Sequence, residues 1–253
     1  MPRTAVPNHR TIISTVRSRW PWILAAIAVI VLAAMLAPQS DDTLAAGTGP
    51  PILPEATDAQ QIQTAFAQLA TLEVKGRAPK TGYDRELFGS SWTDNVSVEL
   101  GRNGCDTRND ILRRDLVDIT SRDRTRNCVV QSGTLRDLYT GSVIAFTRGP
   151  KTSDAVQIDH VVALSDAWQK GAQLLDAQTR ADLANDPRNL QAVDGPTNQR
   201  KSDADASTWL PPLKNYRCTY VARQVEVKAA YRLWVTPAER DAMAGVLTEC
   251  GAR

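Results

Sequence analysis

Eighteen consecutive residues, Trp20 to Ala37 (WPWILAAIAVIVLAAMLA), carry no charge and no strongly polar side chain. Arg3, His9, Arg10, Arg17 and Arg19 precede them, and no acid does. The positive-inside bias then keeps residues 1–19 as a basic cytoplasmic tail and sends the remainder of the chain outward. A spanning helix takes about 20 apolar residues, a signal-peptide core about 7–15, and this run falls between the two. No clean Ala-x-Ala follows it, which favours an uncleaved anchor. The expected location is extracytoplasmic, membrane-anchored through residues 20–37 or secreted if they are removed. A buried core helix is the poorer reading, because the run is apolar on every face. Residues 38–56 contain four prolines among Gly, Ser, Thr and Asp and read as a linker. That leaves 57–253 as one domain.

Charge is uninformative about the partner. The whole chain carries 30 basic and 28 acidic residues. Four of the arginines lie in the tail, so residues 38–253 hold 26 against 28, a net of −2. Nucleic-acid binding gains nothing from overall charge and has to be argued from a site.

Export makes the cysteines legible. Cys105, Cys128, Cys218 and Cys250 all follow the apolar segment, where disulfides persist. Four cysteines allow three pairings. No C-x-x-C pair exists, and His160 is the only histidine beyond the segment, which argues against zinc. Tyr220, Val227, Tyr231 and Trp234 share a helical face, and Thr236-Pro237-Ala238-Glu239 starts a second helix with a cap, a proline and a capping-box glutamate. Met243, Val246, Leu247 and Cys250 line its inner side. Two antiparallel helices of about 14–16 residues, each about 21–24 Å long, bring Cys218 beside Cys250. Cys105–Cys128 is then the second bond.

Other elements are fainter. Thr57 and Gln60 suggest a capping box for a helix bearing Ile62, Phe66 and Leu69. Val96, Val98 and Leu100 alternate as in a short strand. Between Cys105 and Cys128 six arginines interleave with five aspartates, as on a solvated helix; Arg108 is the candidate there for gripping phosphate. Residues 129–146 suggest two strands with turns at Ser132-Gly133 and Thr140-Gly141.

The chemistry concentrates in residues 155–205. Val156, Ile158, Val161 and Val162 surround Asp159-His160 in a strand-like run. An excursion follows, with Ala167, Trp168, Leu174 and Leu175 expected inward. Asn189 then opens a second strand, and PTNQRKS begins a helix. Phosphodiester hydrolysis needs a base for water, an electrophile at phosphate and stabilisation of the leaving oxygen. His160 has the intrinsic pKa for the base, and Asn198 offers an amide oxygen to a hard cation. Strand alternation sends Asp159 and His160 to opposite faces, so a bend or strand end is required if both serve one site. Taken singly, each residue is an ordinary turn, cap or core residue; the spacing of the whole set carries the reading.

Asp159-His160, then Asn189, then Asn198 with Lys201 three residues on, resembles the HNH, or ββα-metal, endonuclease superfamily. The flanks GCDTRNDILRRDL, LYTG, SDAW and YRCTY are similar to secreted bacterial HNH domains related to the C-terminal domain of GmrSD-type restriction enzymes. The resemblance implies an α+β fold, with a ββα-metal core inside a mainly helical, disulfide-bonded domain. It implies His160 as general base, Asp159 and Asn198 as metal ligands, and Asn189 as the residue orienting the His160 loop. Lys201 would contact phosphate or brace the site. The implied partner is nucleic acid, DNA foremost. Asn in place of a final His shifts the implied cofactor from Zn²⁺ to Mg²⁺ or Mn²⁺. The alternative is a catalytically inactive, surface-anchored binding module of the same fold. A Ser-His-Asp hydrolase is disfavoured, since no G-x-S-x-G elbow is present.

The export reading predicts that a C-terminal reporter active only in the cytoplasm stays silent on the full chain. A bright signal would overturn it.

Overall fold

The computed structural model describes residues 59–253. The basic tail, the apolar segment, the linker and Thr57 with its capping box lie outside the described residues. Among the described residues no helix is long and apolar enough to cross a membrane. In chain order the elements are α1 (Ala59–Thr71), α2 (Thr107–Asp115), β1 (Leu116–Ser121), β2 (Val130–Arg136), β3 (Val143–Thr147) and β4 (Val156–His160). Then come α3 (Leu164–Trp168), α4 (Ala177–Asn185), β5 (Leu190–Asp194), α5 (Gly195–Lys201), α6 (Arg217–Ala230) and α7 (Pro237–Glu249). β1, β2 and β3 form an antiparallel sheet in that order, and β4 pairs with β5 alone.

The β4–β5 pair is packed on both faces. Ile158 stands opposite Ala192 and His160 opposite Leu190. Alternation sends Val156, Ile158, Leu190 and Ala192 towards Ile111 and Leu112 of α2 and Phe146 of β3. Val193 points the other way, into a helical core with Ile62 and Leu69 of α1, Tyr220 and Val225 of α6, and Met243 and Leu247 of α7. A third cluster holds Phe88, Trp168, Leu183 and Val227 together.

At the end of β5 the chain turns into α5. The Asp194 carboxylate accepts from the Thr197 N–H at 2.8 Å and from its hydroxyl at 2.6 Å, satisfying groups a helix start leaves open. Gly195 is required by close approach: a Cβ there would overlap the backbone carbonyl oxygen of Asp154.

Charges tie the helices together. Lys170 lies 2.7 Å from each of Asp166, Asp205 and Glu239. Lys228 reaches Glu239 at 2.9 Å and Asp166 at 3.5 Å. Arg77 joins Asp166 and Asp205 from the loop after α1. Three cations meet three carboxylates, which is what permits all but Arg77 to be buried. Glu239 also forms the expected capping box with Thr236. Cys105–Cys128 and Cys218–Cys250 are the disulfides, the pairing expected from the helical hairpin.

Four local expectations are corrected. Residues 96–100 form no strand; the Asp94 carboxylate accepts from the N–H groups of Asn103 and Gly104 and knits the segment into a loop. Ser132-Gly133 lies inside β2 rather than in a turn, because the missing side chain of Gly133 makes room for Leu116 and Ile119. The charged stretch after Cys105 is helix over Thr107–Asp115, strand over Leu116–Ser121 and loop over 122–128, with Asp118 at positive φ where the β1–β2 register shifts. Leu174 is 79% exposed, not inward, in a short 3-10 turn that follows Gly171 at φ 120°.

Gly195→Ala should cost about 1–3 kcal/mol or more, as overpacking does, read as a lower denaturant midpoint. Parent-like stability would mean that α5 is not held against Asp154 in this way.

Candidate active site

His160 is the last residue of β4. Its Nε2 lies 2.9 Å from the Ala184 carbonyl near the end of α4. A carbonyl only accepts, so Nε2 carries the hydrogen and Nδ1 keeps the lone pair. The ring stacks on Trp92, with centroids 5.9 Å apart and planes 14° apart. Trp92 sits at φ 58°, a costly conformation for a bulky residue and of the kind that clusters at functional sites. Burial, then the nearby Arg85 charge, push the His160 pKa down to about 3, with Lys201 adding to the effect and the Ala184 hydrogen bond opposing it. The imidazole is therefore neutral at physiological pH.

Asp159 faces the other side of the strand. Its Oδ2 accepts from the Tyr139 hydroxyl at 2.5 Å and its Oδ1 from Lys201 Nζ at 3.0 Å. Lys201 also donates to the His160 carbonyl at 2.9 Å. It is fully buried and outside the pocket wall. Of the two roles expected of Lys201, contact with phosphate or bracing of the site, its observed contacts are to Asp159 and the His160 backbone. Asn198, one turn earlier on α5, donates from Nδ2 to Gln157 Oε1 at 3.0 Å, so its Oδ1 is the atom left for a ligand. Asn189 clasps the turn after β4: Oδ1 accepts from Val162 N–H at 2.8 Å, and Nδ2 donates to the carbonyls of Val162 and Leu183 at 3.3 and 3.2 Å.

Although Asp159 and His160 diverge, one pocket of about 520 Å³ collects both, together with Gln157, Asn198 and Arg108. It lies along β4, which pairs on one side only, so consecutive residues from both faces reach it. The strand end foreseen from alternation is present at His160. Of the expected residues, Asp159, His160, Asn198 and Arg108 line the pocket, while Asn189 and Lys201 support it from behind.

Sequence reasoning missed several groups. Arg85, from a 3-10 turn, lines the pocket beside His160 and has no carboxylate within ion-pair distance among the described residues. Trp92 and Tyr139 act on His160 and Asp159, and Ser165 donates to Asp203 at 2.9 Å in the wall. Tyr139 stood within the LYTG segment; nothing marked Arg85 or Trp92.

A hard divalent cation suits the donors present. Asp159 and Asn198 offer oxygen, and a carboxylate has room for more than the two hydrogen bonds Asp159 accepts. No group of three or more His, Cys, Asp and Glu with metal-binding arrangement occurs among the described residues.

The family described as GmrSD restriction endonucleases, C-terminal domain, matches residues 106–246. An uncharacterized secreted protein of Arthroderma benhamiae is 34% identical over 203 residues, covering 79% of this chain and 89% of that protein. No solved structure matches. The matched span runs from the cap of α2 through β4, β5 and α5 into α7 and so contains His160, Asp159, Asn189 and Asn198; the chain belongs to the family of GmrSD restriction endonuclease C-terminal domains.

Proposed function

We propose that this chain is an extracytoplasmic, metal-dependent HNH endonuclease that hydrolyses phosphodiester bonds in DNA. The observation that carries this reading is His160: Nε2 is held by a carbonyl, Nδ1 keeps its lone pair, and the ring opens on a pocket shared with Asp159 and Asn198. His160 Nδ1 takes a proton from water, the resulting hydroxide attacks phosphorus, and the bond to the 3′-oxygen breaks. The electron pair leaves on that oxygen, which is protonated from solvent. Mg²⁺ or Mn²⁺ held by Asp159 and Asn198 would neutralise charge on the phosphate and the leaving oxygen.

A pKa near 3 describes the site without substrate. Burial and then Arg85 set it, with Lys201 adding to the effect, and a bound phosphodiester would place an anion against these positive charges. Phosphate thus raises the basicity of His160 at the moment it is needed. Arg85 and Arg108 are the guanidinium groups in the wall that meet phosphate. Lys201 fixes the Asp159 carboxylate, and Asn189 fixes the turn that carries the His160 backbone.

His160→Ala should lower turnover of plasmid DNA by about 10²–10⁴-fold, about 3–5 kcal/mol of barrier, while DNA and metal still bind. Asn198→Ala and Asp159→Asn should lose turnover that returns in part at high Mn²⁺ or Mg²⁺. Asn189→Ala should lose turnover that no added metal restores. Turnover against metal concentration, for all four variants, checks these roles. Metal rescue of His160→Ala with indifference of Asn198→Ala would reverse the assignment, and parent-like cutting by all four would remove the site.

A further inference from the structure

A row of arginines leads out of the pocket. Arg108, in the pocket wall, donates from Nη2 to the Val156 carbonyl at 3.4 Å. The next residue, Asn109, accepts at Oδ1 from Arg148 Nη2 at 2.5 Å, and Arg148 Nε donates to the Val130 carbonyl at 2.6 Å. The Arg148 N–H donates to the Gln131 carbonyl at 2.7 Å. The Gln131 side-chain oxygen, turned towards Arg122, accepts from its Nε and Nη2 at 2.7 and 3.2 Å. Arg148 thus grips the residue next to Arg108 with its guanidinium, and its backbone pairs with the residue whose side chain holds Arg122. Arg122 is exposed and the other two half-buried.

Among the described residues no carboxylate lies within ion-pair distance of any of the three. Asp106 acts favourably on Arg108 and Arg148 without closing an ion pair with either, and its oxygens accept from the Asn109 N–H and side-chain amide. Asp154 also faces Arg108. Burial and then the Arg148 charge hold Arg108 below the ordinary guanidinium range. At Arg148, burial outweighs Asp106, and the Arg122 charge adds to it. Asp106 and Asp154 offset part of the repulsion among these like charges, and no ion pair closes on any of the three guanidinium groups. A succession of them suits a polymer whose charges are also in a row.

We propose that Arg108, Arg148 and Arg122 form a track for the phosphate backbone of a nucleic-acid strand, leading it from the pocket across the β2–β3 face. The track rests on the nuclease reading in beginning at that pocket, but its test reads binding rather than cleavage. The full chain, oxidised and in EDTA, is titrated with a labelled single-stranded oligonucleotide of about 30 residues at several salt concentrations. Each phosphate contact contributes about 0.7 to the slope of log affinity against log salt for a single strand. Arg122→Gln should reduce the parent's slope by about 0.7, and Arg122→Gln with Arg148→Gln by about 1.4, with parent-like melting for the first. Arg122 is exposed, so the test survives if Arg148→Gln, which loses buried hydrogen bonds, fails to fold. Arg240→Gln, an exposed arginine paired with Asp241 on α7, should leave the slope unchanged. An unchanged slope in Arg122→Gln, an equal fall in Arg240→Gln, or no binding by the parent would overturn the track. A slope that falls as stated in a protein that cuts nothing with Mg²⁺ would remove the nuclease reading and leave the track standing.

Discussion

The buried ammonium of Lys201 is the contact on which the site's geometry depends. A lone ammonium taken from water into a protein interior costs several kcal/mol unless it is paired and hydrogen-bonded. Here it is satisfied by Asp159 Oδ1 and by the His160 carbonyl, the side chain of one residue and the backbone of the next. That double contact fixes α5 against the end of β4. Once α5 is fixed, Asn198, one turn back, faces the same pocket as Asp159. The Asp159 carboxylate, held also by Tyr139, cannot swing away, and the His160 carbonyl that accepts from Lys201 fixes where the imidazole starts.

The rest of the domain keeps that unit dry and rigid. β4 and β5 are too short to make a core between themselves, and they borrow one from α2 and the three-stranded sheet on one face and from the long helices on the other. The helices are cross-linked by Cys218–Cys250 and by the cluster of Arg77, Lys170 and Lys228 with Asp166, Asp205 and Glu239. Asp166 follows Ser165, which lines the pocket, so the same helix that anchors the ion cluster forms part of the wall. A buried cluster of this kind tolerates little rearrangement, since removing one partner strands another charge.

A strained residue stands at the same place. Trp92, at positive φ, is stacked on the imidazole, while the carbonyl of Ala184 holds the opposite end of the ring through Nε2. Two elements far apart in sequence thus set the plane and the tautomer of one side chain. Burial first, and the Arg85 charge beside them second, keep the ring neutral.

Local chemistry was legible in the sequence wherever a residue's role depends on its near neighbours. The cap and proline of α7, the strand–strand–helix order around His160, the end of a strand at His160 and the helical hairpin that pairs Cys218 with Cys250 all follow from periodicity, capping and chain length, which act over a few residues. The position of Gly133 within a strand did not, because glycine in a turn and glycine under a packed leucine look alike in one dimension. Neither did the burial of Lys201: a lysine on a short helix reads as solvent-facing until the carboxylate 42 residues earlier is placed beside it. Arg85, Trp92 and Tyr139 acquire roles only through long-range packing, and the order of Arg108, Arg148 and Arg122 exists only across the folded sheet. The sequence by itself determined which groups are available and the local elements that carry them. Tertiary structure alone decided which charges are buried and which remain unpaired, because both depend on desolvation by residues distant in the chain.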